Sequence, residues 1–309
     1  MITEHRVTVV VLTHDRPDEL AAVLGRLDAL PDRAAIVVVD NASTCDVRGV
    51  LGGLEHVEYV RCPRNLGAAG RNAGVARAGT PYVAFCDDDT WWAPGALAHA
   101  ADLLDAHPAV ALLSARILIA DDGTEDPVCT AMADSPLDSS GLPGPAIVSF
   151  MAGAAVVRVS EFRAVNGYEA RLFLGAEEWL MSLDLLARGR SLVYAPDLIV
   201  HHRPSERARD PRRRHIALLR NRIWIAWMRL PVGHAWRITL RALAAAWQQR
   251  LTGAVVGRTL AGLSWALRRR RVVPTDVVRL LSVLSRHRRA RHRAIIEAAA
   301  GTPLQRERA

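Results

Sequence analysis

The sequence predicts an α/β protein with a mostly parallel sheet, continued by a basic helical C-terminal region. Three observations predict it. Apolar, β-branched runs of strand length alternate with helix-spaced apolar residues through the first 200 positions, as βαβ units do. Several runs end in polar or acidic residues, where open parallel sheets take their ligands. The charge is also divided: residues 1–200 hold 15 Arg against 27 acids, residues 201–309 hold 25 Arg against five acids, and no Lys occurs.

Val7 to Leu12 is continuously apolar, which marks a strand buried on both faces, and it ends in Thr13-His14-Asp15-Arg16. Pro17 opens a helix with Leu20, Val23, Leu24, Leu27 and Leu30 on one face. Ile36 to Val39 is a second strand, ending in Asp40-Asn41, and Val57 to Val60 is a third. Arg64 to Gly74 is rich in Gly and Ala, residues that admit a ligand close to the backbone and equally serve helix packing. A helix N-terminus there suits phosphate, and Arg71 can add a bidentate charge-assisted bond. Tyr82 to Cys86 is the fourth strand, delivering Asp87, Asp88 and Asp89, and a helix is expected from about Pro94 to His107. Val110 to Leu113 reads as a strand and residues 121–146 as a long loop, with further strands at Ile147 to Phe150 and Ala154 to Val157 around Gly153. Glu177 and Glu178 fit the first turn of a helix that Gly189 caps. Leu192 to Tyr194 and Ile199-Val200 then lead to His201-His202. Helices are expected over 212–228, 234–249, 252–271 and 275–299.

Three adjacent aspartates raise one another's pKa unless a cation or solvent offsets the repulsion. At a strand end, hard oxygen ligands suit Mg²⁺ or Mn²⁺ with a substrate phosphate completing the shell. A solvated acidic turn is the alternative for a bare triplet; the strand before it and Pro94 after it favour the metal.

With 309 residues, half of them apolar, the chain can bury a full core, and disorder is excluded as the default. The division at about residue 210 separates a catalytic domain, 1–210, from an Arg-rich helical region, 211–309. Four scattered cysteines without CxxC spacing predict a reducing, cytoplasmic compartment. Met1 to Arg6 lacks a signal-peptide pattern, and arginines interrupt every apolar stretch after 216, so no bilayer span is expected. Trp224, Trp227, Trp236, Trp247 and Trp265 recur among arginines in the last third. That pattern fits docking on an anionic membrane surface as well as it fits ordinary core aromatics. An Arg-rich end also suits nucleic acid, but no helix-turn-helix, zinc-finger or RNP signature accompanies it, and nucleic acid ranks low as a partner.

The segments VVVLTHDR, IVVVDNAS, NLGAAGRNAG, FCDDDTWWAPGAL, AEEW and VYAPDLIVHH, in this order, resemble the family 2 glycosyltransferases of the GT-A fold. They are most similar to the small rhamnosyltransferase-like bacterial branch, and the resemblance covers about Val7 to His202. It implies a Rossmann-like, mostly parallel sheet binding a nucleotide-diphosphate sugar. Thr13, Arg16 and Asp40 would meet the base, Asn65, Gly67 and Arg71 the nucleotide and diphosphate, and Asp88 the ribose or sugar. Asp89, with Asp87 close by and His202 from the far side, would hold the divalent metal. The second acid of the family's ED pair falls on Glu178, with Glu177 the rival, and would be the base of an inverting hexosyl or deoxyhexosyl transfer. The acceptor would be a glycan, a lipid-linked molecule or a small natural product, and a lipid-linked one would draw the protein to the inner face of the membrane. Glu178 replaces the usual Asp, while Leu180 and Asp184 stand where many relatives carry an acid and an arginine. A catalytically inactive GT-A module is the reading those departures leave open. The QxxRW signature of processive synthases is absent, which implies that one or a few sugars are added.

Overall fold

The computed structural model describes residues 5–54, 56–119, 123–204 and 210–301, the side chains only as far as 291. At its centre β1 (Val7–Thr13) runs parallel to β4 (Tyr82–Asp87) on one side and to β2 (Ala35–Asp40) on the other, and β3 (Val57–Arg61) adds parallel to β2. The inner strands are apolar on both faces because helices cover both sides, which is why their sequence does not alternate. In register, Thr13 pairs with Asp40 and Leu12 with Asp87, so the polar ends of three strands share one edge of the sheet.

α1 (Pro17–Asp28) buries Leu20, Val23, Leu24 and Leu27, and α2 (Arg71–Arg77) follows a short 3₁₀ turn, Gly67–Gly70. Beyond β4 the sheet changes direction. β5 (Thr90–Trp92) crosses antiparallel to β8 (Ser191–His202), and β7 (Ala155–Arg158) runs antiparallel to both β4 and β6 (Val110–Ile119). β6 and β8 are parallel, and the full order is β3-β2-β1-β4-β7-β6-β8-β5.

Several boundaries differ from expectation. Pro94 does not begin a helix: Trp92 is fully buried in β5, Gly95 turns the chain at φ +77°, and α3 (Ala96–Ala106) starts after it. Within residues 121–146, whose positions 121 and 122 lie outside the described residues, stands α4 (Pro127–Ala133). Asp126 caps it by accepting from the Val128 N–H at 2.9 Å, and proline occupies its first turn. Ile147 to Phe150 is irregular, with only Ala146 bridging to Val193. β6 extends to Ile119 because β8 pairs it past Ser114 and Arg116, whose polarity hides the strand from an apolar-run criterion. β8 itself is continuous through Pro196, accommodated where the β6–β8 register shifts. α5 (Val159–Ala164) follows β7 directly.

α6 (Glu177–Ala187) precedes β8, and the C-terminal region forms α7 (Pro211–Arg229), α8 (Val232–Gln248), α9 (Thr252–Arg268) and α10 (Thr275–Gly301). α7 uses two faces. Trp224, Ile225 and Met228 pack with Leu172, Leu180, Leu183 and Trp265, whereas Ile216, Leu219 and Ile223 pack with Ala242, Ala246 and Val255. Leu180 and Asp184 owe their identities to this interface. Leu180 is buried in it, and both Asp184 carboxylate oxygens accept from Arg229, one of them from Nη2 at 3.0 Å.

Candidate active site

The three consecutive aspartates diverge, because they pass from the last residue of a strand into a tight turn. Asp88 points inward and is buried, accepting from the Thr13 hydroxyl at 2.9 Å and from Arg16 at 3.1 Å. Burial pushes its carboxyl up to about 6; Arg16 opposes the shift, and the charges of Asp89 and Asp87 add to it. Arg16, also buried, forks to Asp89 at 3.2 Å. The other oxygen of Asp89 faces His202 Nε2 at 3.8 Å, a placement fixed by the β5–β8 ladder, in which Thr90 pairs with His202. An oxygen and an imidazole nitrogen facing each other suit a divalent ion whose remaining positions go to phosphate oxygens and water. Among the described residues no three His, Cys, Asp or Glu side chains form a complete metal cage.

Asp87 turns the other way and pairs with Arg71, which is only 4% exposed. Burial alone would lower the pKa of Arg71, but Asp87, Tyr168, Glu178 and Glu177 around it raise it instead. Its Nε is buried and has no hydrogen-bond partner among the described residues. Gly153 presses on Asp87 from β7's side: a Cβ there would sit 2.7 Å from a carboxylate oxygen, and its carbonyl accepts from the Thr90 hydroxyl at 3.1 Å. In this structure its close neighbour is therefore a protein side chain.

Asp40 is fully buried. Its oxygens accept from Tyr59 OH at 2.7 Å, from the Ser43 N–H at 2.7 Å and from Arg61. Burial would push the carboxyl up, yet these bonds hold it below the usual carboxylate range. Asn65 accepts from Asn41 at 3.1 Å and from the Gly67 N–H at 2.9 Å. Gly67, at φ +60°, leaves no room for a side chain, since a Cβ would lie 2.2 Å from the Phe173 carbonyl.

That carbonyl belongs to the loop presenting the acid pair. Phe173, Gly175 and Ala176 all have positive φ, at 64°, 95° and 65°, a conformation that Phe and Ala adopt at a cost. The loop is clamped from both sides. Ala68 N–H donates to Phe173 O at 2.8 Å, and the Asn221 amide of α7 lies 2.9, 3.2 and 2.6 Å from the carbonyls of Leu172, Leu174 and Gly175. Asn221 is a site residue that strand-and-motif reasoning does not pick out. Its signal is a polar residue four before Ile225 and seven before Met228, on a buried helical face.

Glu177 and Glu178 open α6, and both line a cavity of about 1680 Å³ with Arg71, Asp87 and Gly153. Glu177 is buried with Oε2 unpartnered among the described residues, and Glu178 is half-buried. Burial pushes both carboxyls up. The charge of Glu178 adds to it at Glu177, while backbone N–H groups and Arg71 oppose the shift at both.

A carboxylate-bearing edge of a mixed sheet, facing an acid pair on a helix start across a cavity, defines a GT-A fold protein. The chain belongs to glycosyl transferase family 2, whose family model matches residues 8–163. A pre-mycofactocin glycosyltransferase of Mycobacterium tuberculosis is 32% identical over 220 residues, 67% of this chain; the match spans 44% of the relative's length. Among solved structures, the chain is similar to a mannosyltransferase from Pyrobaculum calidifontis in complex with GDP-Man and Mn²⁺, with TM-score 0.55 and 18% identity, covering 87% of this chain and 88% of that one. It is also similar to S. aureus TarS 1–349 in complex with UDP-GlcNAc, with TM-score 0.55 and 17% identity, covering 89% and 83% of the two chains.

Proposed function

We propose that the chain is an inverting, metal-dependent glycosyltransferase that moves a hexosyl or deoxyhexosyl group from a nucleotide-diphosphate sugar to an acceptor hydroxyl. The observation that carries this reading is the shared cavity: Asp87 from β4 and Glu177 and Glu178 from α6 line it together, with Arg71 between them. Family membership and the GDP-Man and UDP-GlcNAc held by similar folds support a nucleotide-sugar donor.

In this reading the donor lies along the polar edge of β1, β2 and β4. Thr13, Arg16 and Asp88 brace that edge and hold Asp89 toward His202, while Asp40 fixes Arg61 and Asn65 fixes the Gly67 turn. Asp89 and His202 would hold Mg²⁺ or Mn²⁺, and Asp87 lies close by. The bound ion would supply positive charge for a departing nucleoside diphosphate. Arg71 adds fixed positive charge beside Asp87. Glu178 takes the acceptor's proton as its oxygen attacks the anomeric carbon, and Glu177 stands beside it, its carboxyl pushed up to about 8 by burial and by the charge of Glu178. Attack opposite the leaving group inverts the anomeric centre without a covalent intermediate.

We assign residues 1–210 to the catalytic domain and 211–309 to a region serving the acceptor, a glycan, lipid-linked or small molecule. Exposed apolar residues on α8 (Val232, Trp236, Leu240, Trp247) and α9 (Val256, Leu260, Leu267) each fall on one helix face, and arginines flank them. They support attachment to an anionic membrane surface from the cytoplasmic side. No helix among the described residues is long and apolar enough to cross a membrane.

A thermal-shift panel of UDP, dTDP and GDP sugars, with and without Mn²⁺, tests the donor. One sugar nucleotide should stabilise the protein more with Mn²⁺ than without it. No shift with any of them, in either condition, would refute the reading.

A further inference from the structure

The cavity holding Asp87, Glu177 and Glu178 continues between the C-terminal helices, where arginines stand among apolar side chains in its wall. Arg222 of α7, Arg241 of α8, Arg258 of α9 and Arg288 of α10 all line it, so each of four helices contributes a guanidinium. Other arginines of this region find carboxylates: Arg229 pairs with Asp184, Arg213 with Asp210, Arg269 with Glu169 and Arg291 with Asp134. Among the described residues, no ion pair neutralises Arg222, Arg241, Arg258 or Arg288, whereas Arg213 in the same lining is paired. They also crowd one another. Burial and the charges of Arg288 and Arg241 push the pKa of Arg222 down, and burial and Arg258 do the same to Arg220. Cations gathered along one stretch of a cavity wall repel, and an anion between them relieves the repulsion. The guanidinium fork matches phosphate oxygens in pairs. At about 1680 Å³ the cavity also exceeds the roughly 300–1,000 Å³ of a single small-molecule pocket.

We propose that these four arginines form an acceptor subsite for a phosphate- or pyrophosphate-bearing acceptor, which they anchor so that the acceptor's hydroxyl meets Glu178. This rests on the glycosyl-transfer reading above. The hydroxyl oxygen forms the new bond to the anomeric carbon, its proton passes to the Glu178 carboxylate, and the donor's bond from anomeric carbon to phosphate oxygen breaks, releasing the nucleoside diphosphate. The acceptor's own phosphate takes no part in bond making and serves as the handle.

Calorimetric titration of the full chain with inorganic pyrophosphate, in EDTA so that no metal competes, tests the subsite. Arg241→Ala and Arg288→Ala, both exposed positions on separate helices, should each weaken binding by about tenfold. Arg222→Lys, which keeps the charge but loses the fork, should weaken it less. Asp89→Asn, on the donor side, should bind pyrophosphate as the wild type does. Equal affinity in the wild type and both alanine variants, or loss only in Asp89→Asn, would overturn the proposal by placing the anion elsewhere. The nucleotide-sugar thermal shift, run on the same proteins, separates the two readings. A donor shift without arginine-dependent pyrophosphate binding sinks the subsite alone, whereas arginine-dependent binding without any donor shift sinks the transferase reading. Repeating the titration with phosphatidylglycerol vesicles distinguishes sources: vesicles that displace pyrophosphate identify a lipid-held phosphate, and vesicles that leave it bound identify a soluble one. Both results uphold the phosphate handle.

Discussion

Glu178 and Glu177 are adjacent in sequence but differ in surroundings, and the roles proposed for them follow that difference. Glu178 lines the cavity half-buried, whereas Glu177 is 5% exposed with one oxygen unpartnered among the described residues. Glu178→Gln should lower turnover by about 10²- to 10⁴-fold while preserving the donor thermal shift. Turnover close to wild type would remove Glu178 as the base, and parallel measurement of Glu177→Gln would then decide the rival assignment. The working form of the proposed base is the carboxylate, and burial raises both carboxyl pKa values. Activity should therefore fall as pH drops, along an acid limb lying above the ordinary glutamate value near about 4.3. A kcat/KM profile still flat at that value would contradict a desolvated base. The two acids were legible in the sequence as a helix start. Their unequal burial was not, because it depends on where the Phe173–Ala176 loop is held.

That loop is an element-scale device, and two distant parts of the chain hold it. Asn221 reaches it from α7, and the Gly67–Ala68 turn reaches it from the sheet edge. Asn221→Ala would leave carbonyls of the loop without their buried donor, at a cost of about 1–3 kcal/mol. A lowered denaturant midpoint, together with reduced turnover, is the expected result, and an unchanged midpoint would refute the clamp. Gly67→Ala should be worse for activity, since its Cβ would collide with the Phe173 backbone and its φ of +60° disfavours a side chain. Circular dichroism and turnover measured together would show whether the fold survives while the acid pair is displaced. The glycine was visible in the sequence, but only as a small residue near a strand end. Asp184 is a second fastening of this kind: it receives Arg229 from α7 and ties α6 to the C-terminal helices.

For the whole molecule, the division of charge becomes a division of surfaces. The acids gather at the sheet edge and α6, the arginines along the cavity between the C-terminal helices, and an apolar stripe remains exposed on the outer helices, with Trp247 76% and Leu260 62% exposed. Trp247→Ser with Leu260→Ser should leave the unfolding midpoint nearly unchanged, because exposed side chains contribute within about 0.5 kcal/mol. The same pair should weaken flotation with anionic vesicles, and undiminished flotation would exclude the stripe as the membrane contact. The sequence by itself determined the four parallel strands of the first half, the order of the motifs and the family, because apolar periodicity, turn chemistry and short motifs are local. It also announced the basic last third, without saying which arginines meet acids and which meet space. Only the tertiary structure decided that three neighbouring aspartates face three ways, that a helix asparagine holds the acid loop, and that arginines from four helices line one cavity. Each of those facts is a meeting of side chains far apart in sequence, fixed by strand register and helix packing, and no local pattern encodes such a meeting.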